Sequence, residues 1–347
     1  MDTWWPLHTL LCLATLAFII TNVLHNPCRG PKPKLPPGPK PWPVIGNLHL
    51  IGHNIPHQSL HSLSQKYGEI MLLKFGTFPV IVASSTDMAK QFLKTHDAVF
   101  ASRPPLSSGK YLSFNYSDMS FAPYGPSWRQ ARKIYMSEIF NAKSLESTEK
   151  IRAEESSNLI SRLFSLSGKP VVLRDYLMRY TLLTVCRMVF SDFNEPSIVT
   201  LDELQGLLDE WFFLSGVFNI GDWVPWLDFL DLQGYVKRMK ALNRKLDRFL
   251  SYVIDGRKAR KTGDDQRTVK DVVDVLLQLS ENQNLDVKMT SDRVKALVQN
   301  LLLGGTDTST TTVEWTILEL LKYPHVIQKA REELNRVIGR KRWVNEL

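Results

Sequence analysis

A chain of 347 residues, 44% hydrophobic and 22% charged, has the make-up of an ordinary globular protein and is long enough to bury a large core. Its three cysteines, Cys12, Cys28 and Cys186, exclude a disulfide framework, and no pair has metal-ligand spacing, which points to a reduced, cytosol-facing setting. The net charge of +8 comes from scattered Lys and Arg without a zinc-finger or RNA-binding signature, so an anionic membrane or acidic surface is preferred over nucleic acid as a partner.

The chain begins with a mostly apolar run from Trp4 to Leu24, close to the ~20 residues a spanning helix needs, with Trp4 and Trp5 suited to the membrane interface. No basic segment precedes it, whereas Arg29, Lys32, Lys34 and Lys40 follow it. The expectation is an uncleaved anchor helix over residues 1–25 with the bulk of the protein on the cytoplasmic side; a cleaved signal peptide is the competing reading. Residues 26–47 form a proline-rich tether, expected to be an extended, stiff spacer.

Beyond it, His57 to Tyr67 reads as a helix stopped by Gly68, and "EIMLLKF" and "VIVAS" read as a hairpin around "GTFP". Ser84, with Asp87 three residues on, is the expected cap of another helix. Periodicity then predicts helices over 127–140, 145–166, 173–189, 201–217, 232–258, 269–280 and 324–338. The charged stretch from Gly256 to Thr268 reads as a solvated loop.

Three places carry chemistry. In "APYGPSWRQARK", Trp128 and Arg132 are four apart on one helical face, where an indole N–H and a guanidinium can reach an anionic group; a surface Trp packed under an arginine explains the spacing equally well. "DEWFFLSGVFNIGDWVPWLDFL", from Asp209, is either core or an apolar lid that lines a pocket or leans on a bilayer. "LLLGGTDTSTTTVEW", from Leu301, puts two glycines and a run of hydroxyls into an amphipathic helix. One reading caps a helix at Gly304 or Gly305 and opens the next with a Thr311–Glu314 capping box. The other keeps one helix with a groove at the glycines, where Asp307 and Thr308 pair an acid with an alcohol suited to relaying protons.

In this order the anchor, the "PPGP" hinge, the "YGPSWRQARK" helix, "GGTDTS" in a long helix and "EWTILELLKYP" resemble a plant-type microsomal cytochrome P-450 monooxygenase, from the first residue to the last. The resemblance implies a mainly α fold with a small β portion around a haem, incomplete at the C-terminus, with residues 48–347 as a partial catalytic domain. It implies oxygen activation at the iron, electrons from NADPH through a membrane-bound reductase, and an endoplasmic reticulum location. It places Trp128 and Arg132 on a haem propionate. Gly304 and Gly305 leave room for oxygen, and Asp307 and Thr308 organise water and deliver protons. The regions 107–121 and 211–226 would shape a pocket for a lipophilic plant metabolite such as a terpenoid or flavonoid.

The sequence departs from the family at the iron ligand. The family's cysteine sits in a Phe-x-x-Gly context that no cysteine here has, and Cys186 in "LLTVCRMVF" reads as a packed core thiol. Two strings fit the family's Glu-x-x-Arg pair, Glu149 with Arg152 and Glu333 with Arg336, but both come too early in the family order. The expectation is that this polypeptide alone is not a competent monooxygenase. The alternatives are a non-catalytic, membrane-anchored short isoform that binds reductase or a full-length relative, and a membrane-tethered helical binding protein without a haem groove.

Overall fold

The computed structural model describes residues 34–51, 55–191, 198–261, 271–282 and 284–339, with Thr15 and Arg342. Thr15 apart, the expected anchor lies outside the described residues, as does the first part of the tether. Among the described residues no helix is long and apolar enough to cross a membrane. The chain groups into two compact units, Met1–Gln91 and Phe92–Leu347.

The first unit holds α1 (Pro56–Tyr67), β1 (Ile70–Phe75), β2 (Phe78–Ala83) and α2 (Thr86–Lys90). The strands pair antiparallel with Phe75 opposite Phe78 and Ile70 opposite Ala83, and β1 buries Met71 and Leu73 at alternate positions. The described part of the tether is no free, extended spacer: it turns at 43–45, with Val44 and Gly46 both at φ 64°, and it docks onto β1. The Leu72 N–H donates to the Pro37 carbonyl at 2.9 Å, and a Cβ at Gly38 would sit 2.0 Å from the Leu72 carbonyl oxygen. Glycine is what lets the two backbones meet. Asn47 completes the dock: its Oδ1 accepts from the Lys74 N–H at 2.8 Å and its Nδ2 reaches the Pro39 and Lys40 carbonyls. The cap of α2 falls one residue later than expected, on Ser85, whose hydroxyl accepts from the Met88 N–H.

The second unit is helical: α3 (Asp97–Phe100), α4 (Ser107–Leu112), α5 (Pro126–Ile134, running on as a π turn over Tyr135–Ile139), α6 (Ala142–Ser147), α7 (Glu149–Ser165) and α8 (Leu173–Phe190) come first. They are followed by α9 (Leu201–Gly216), α10 (Ile220–Trp223), α11 (Tyr235–Lys261), α12 (Val272–Ser280), α13 (Ser291–Lys322) and α14 (Pro324–Val337). The fold class is therefore mainly α with a small antiparallel β portion, as expected. The helix expected over 145–166 is two, because the Thr148 hydroxyl bonds back to the Leu145 carbonyl and interrupts the ladder.

The core forms where α8 and α13 pack along each other, with Leu182, Cys186, Val189, Leu297, Leu302 and Leu303 buried among side chains from α9, α11 and α12. Burying a leucine of this kind contributes about 1.5–3 kcal/mol relative to exposure, so the pairing is a principal hydrophobic contribution to this unit. One buried ion pair ties the periphery together. Arg257 meets Asp271 at 2.6 Å and donates to the Phe190 carbonyl, while Asp271 also caps α12 through the Asp274 N–H.

Candidate functional site

Helix α13 runs unbroken through the glycines from Ser291 to Lys322. The two-helix reading fails, and the Thr311–Glu314 box does not form: both side chains meet Arg174 of α8, Glu314 at 2.8 Å and Thr311 at 3.5 Å. A capping box needs free amides at a helix start, and here those amides are already in the helical ladder.

The helical period sorts the polar segment into stripes. Gly304, Thr308, Thr312 and Thr316 recur every four residues on an exposed stripe, and each hydroxyl donates to the carbonyl four residues back, Thr308 to Gly304 at 2.6 Å. A Cβ at Gly304 would meet nothing within 4 Å, so this stripe has room beside it. Gly305 differs from expectation. A Cβ there would lie 2.7 Å from Val185 Cγ2, so Gly305 serves the close approach of α13 to α8, not an opening for a ligand. Thr306 and Thr310 belong to the buried side, where the Thr310 and Thr181 hydroxyls bond at 2.8 Å.

Asp307 turns towards α8. Its Oδ1 accepts from Arg174 Nη2 at 2.7 Å, and the same guanidinium holds Glu314. The hydrogen bond to Glu314 and the charges of both carboxylates raise the Arg174 pKa, locking it cationic. Asp307 and Thr308 are thus neighbours in sequence with different partners, one on the Arg174 stripe and one on the open stripe. The sequence pattern did not single out Arg174; a lone arginine opening α8 carries no motif.

On α5, the Trp128 indole has the Arg132 guanidinium 5.6 Å from its ring centre and that of Arg103 5.9 Å away. Trp128 Nε1 is buried without a hydrogen-bond partner among the described residues. A buried indole N–H left unspent costs free energy, and two arginines beside it make the surroundings favourable to an anion. The arginine does pack over the indole, as the simpler reading expects, and the unpartnered N–H beside it gives a donor set that fits a carboxylate of a bound group. Gln130 and Tyr135 set the orientation of α5. Gln130 exchanges two hydrogen bonds with the Val287 backbone at 2.7 and 2.8 Å, and the Tyr135 hydroxyl donates to the Leu297 carbonyl at 2.8 Å.

The regions 107–121 and 211–226 come together. Ser107 donates through N–H and hydroxyl to Asp222 Oδ1 at 2.8 and 2.6 Å, Trp211 Nε1 donates to the Leu112 carbonyl, and the Phe121 and Trp211 rings meet edge-on at 6.0 Å. Burial pushes the Asp222 carboxyl above its usual range. The aromatic stretch is both core and surface: Trp211 is 5% exposed and Trp226 53%. Asp118 and Asn300 join the 107–121 segment to α13, with Asn300 Nδ2 donating to Asp118 Oδ2 at 3.1 Å and Asn300 Oδ1 accepting from the Met119 N–H at 2.8 Å.

Cys186, the one cysteine among the described residues, is fully buried between α8 and its neighbours, and burial raises its thiol pKa; it is a core residue, not a metal ligand. No group of His, Cys, Asp and Glu able to hold a metal ion occurs among the described residues.

The family model for cytochrome P-450 matches residues 36–346. The chain is 40% identical over 348 residues to flavonoid 3'-monooxygenase of Petunia hybrida, an alignment covering 98% of this chain and 66% of the relative. It is 41% identical to flavonoid 3'-monooxygenase of Arabidopsis thaliana, covering 97% and 66%, and 38% identical to trimethyltridecatetraene synthase of Zea mays, covering 97% and 64%. The chain spans just under two thirds of the length of these relatives. With the family model matching most of its length, the chain belongs to the cytochrome P-450 family.

Proposed function

We propose that the whole protein is a haem monooxygenase that inserts one oxygen atom from O2 into a lipophilic plant metabolite, with electrons from NADPH supplied through a membrane-bound reductase. Flavonoids are the first substrate class to assay, since the two relatives at 40% and 41% identity are flavonoid monooxygenases; terpenoids come second. A location at the endoplasmic reticulum membrane goes with this reading.

The observation that carries it is the unpartnered, buried N–H of Trp128, whose ring has two guanidinium groups within 6 Å of its centre. Trp128 and Arg132 would hold a haem propionate, and Gly304 supplies the open stretch of α13. When bound, haem supplies the activation of O2. The chain's own residues handle protons. The Thr308 hydroxyl points its hydrogen at the Gly304 carbonyl, and rotation about χ1 frees that hydrogen for donation. Asp307 Oδ1 accepts from Arg174 Nη2, so reaching the open stripe beside Thr308 requires this side chain to leave that guanidinium. The apolar surroundings of the 107–121 and 211–226 regions would exclude water from a substrate.

The test is NADPH-dependent turnover of flavonoid and terpenoid panels by the whole protein with its reductase in microsomes, under isotopically labelled O2. Product carrying one labelled oxygen supports the reading. Product labelled from water, or formed equally without NADPH, overturns it.

A further inference from the structure

We propose that the cavity of about 810 Å³ between α4 and α11 is an anion site that takes a phosphate-type group. It is lined by none of the residues assigned above to haem or proton handling. Lys110 of α4 and Lys237, Lys240 and Arg244 of α11 open onto it, the last three at the spacing of one helical face.

None of these four cations has a carboxylate within 4.0 Å among the described residues. The one acid at helical spacing from any of them, Asp247 three residues after Arg244, is paired with Lys295 at 2.6 Å. Their neighbours are paired across elements: Arg238 with Glu210 at 2.8 Å and Lys295 with Asp247 at 2.6 Å. Two of the three carboxylates in the lining are engaged: Asp231 accepts from the Val236 and Lys237 N–H groups and Asp292 faces Lys295 at 3.9 Å, while Asp228 carries the third negative charge of the lining.

Two ammonium groups share one aromatic ring. Lys110 Nζ lies 5.2 Å and Lys240 Nζ 4.7 Å from the centre of Tyr111, which puts them no more than about 10 Å apart. Asn243 Oδ1, also in the lining, is buried without a partner and suits the O–H of a protonated phosphate or a polyol ester.

The cavity's other wall is strained. Phe114, Asn115 and Tyr116 occupy the left-handed region in succession, with φ of 48°, 54° and 58°, and Phe114 and Asn115 line the cavity. The Tyr116 ring pins this turn against Gly109, where a Cβ would meet it at 2.6 Å. Three lysine point charges with an arginine fork suit a phosphate, whether of a soluble phosphate ester or of an acidic phospholipid headgroup. The lipid source has its own apolar neighbour in Phe229, which lines the cavity and is 81% exposed.

The test uses the full chain in neutral detergent at constant ionic strength. Thermal midpoints are measured with inorganic phosphate, and vesicle binding is compared between phosphatidylcholine alone and phosphatidylcholine with phosphatidic acid. Lys240→Ala with Arg244→Ala is set against Lys143→Ala with Lys169→Ala, a control of equal charge loss away from the cavity. The milder Lys237→Gln serves if the cavity double variant does not fold. A response roughly fivefold weaker in the cavity variant than in the control supports the site. A response to inorganic phosphate identifies a soluble phosphate source, and one confined to phosphatidic acid identifies the headgroup. Equal responses in wild type, cavity variant and control, or no response in any, overturn it.

Discussion

Arg174 at the start of α8 holds Asp307 at 2.7 Å and Glu314 at 2.8 Å, two carboxylates spaced seven residues apart on α13. One guanidinium thereby bridges two turns of the long helix beside its glycines, with its planar fork divided between two acids. The arrangement sets the side of α13 on which Asp307 lies, and it leaves Thr308 on the open stripe. The side chains are 42%, 33% and 36% exposed, so solvent screens the attraction. A double-mutant cycle of Arg174→Ala with Asp307→Asn, read by urea denaturation, should give a coupling of about 0.2–1 kcal/mol. No coupling would mean that the bridge does not persist in solution.

The two adjacent glycines should respond in opposite directions to alanine. Gly304→Ala adds a methyl group into open space and should stabilise α13 by up to about 1 kcal/mol. Gly305→Ala drives a methyl group onto Val185 and should destabilise by about 1–3 kcal/mol despite the gain in helix propensity. Val185→Ala should recover part of that loss in the double variant. Denaturation midpoints of the four proteins decide the matter; equal effects at both glycines would contradict the packing described.

Removing Arg257 should be among the most damaging single changes in the second unit. Its side chain is 6% exposed and that of Asp271 1%, and truncation to Ala strands a buried carboxylate and removes a donor from the Phe190 carbonyl. The expected loss is about 3–5 kcal/mol by chemical denaturation. Replacing both partners, Arg257→Met with Asp271→Asn, should cost less than Arg257→Ala alone, because no uncompensated charge remains buried.

Asp118 gives a pH signature. Burial pushes its carboxyl above the ordinary value of 3.8, against the hydrogen bonds from the Phe121 N–H and Asn300. The folded protein therefore holds this proton more tightly than the unfolded chain does. The resulting stabilisation is fully present below pH 3.8 and is lost as the pH rises through the raised value. Asp118→Asn should flatten the unfolding free energy across that window relative to wild type. An unchanged slope would show that the carboxyl is not perturbed.

Much of the fold was legible because it follows from period and punctuation. The hairpin and the 173–189 and 201–217 helices announce themselves by apolar spacing, whereas spacing alone left the 291–322 run open between one helix and two. The break at Thr148 was not, since it arises from a hydroxyl competing for a carbonyl inside an otherwise periodic run. At the site, Trp128 and Arg132 were legible as a pair on one face. Arg103, which brings the second cation to the same indole, was not, because it arrives from a different segment. The roles of Gly304 and Gly305 could not be separated from sequence: what distinguishes them is Val185, more than a hundred residues away. For the same reason Asp307 looked like a partner of Thr308, when its neighbour in space is Arg174.

The proposed function sets a haem propionate against the indole N–H of Trp128 and the guanidinium of Arg132. The direct measurement is titration of the full chain with haem and with haem dimethyl ester, whose propionates are blocked, following absorbance and tryptophan quenching. Haem should bind about tenfold more tightly than the ester, the worth of one charge-assisted hydrogen bond, and Trp128→Phe with Arg132→Ala should abolish the difference. Equal affinity for haem and its ester, or a preference that survives the double substitution, would contradict it.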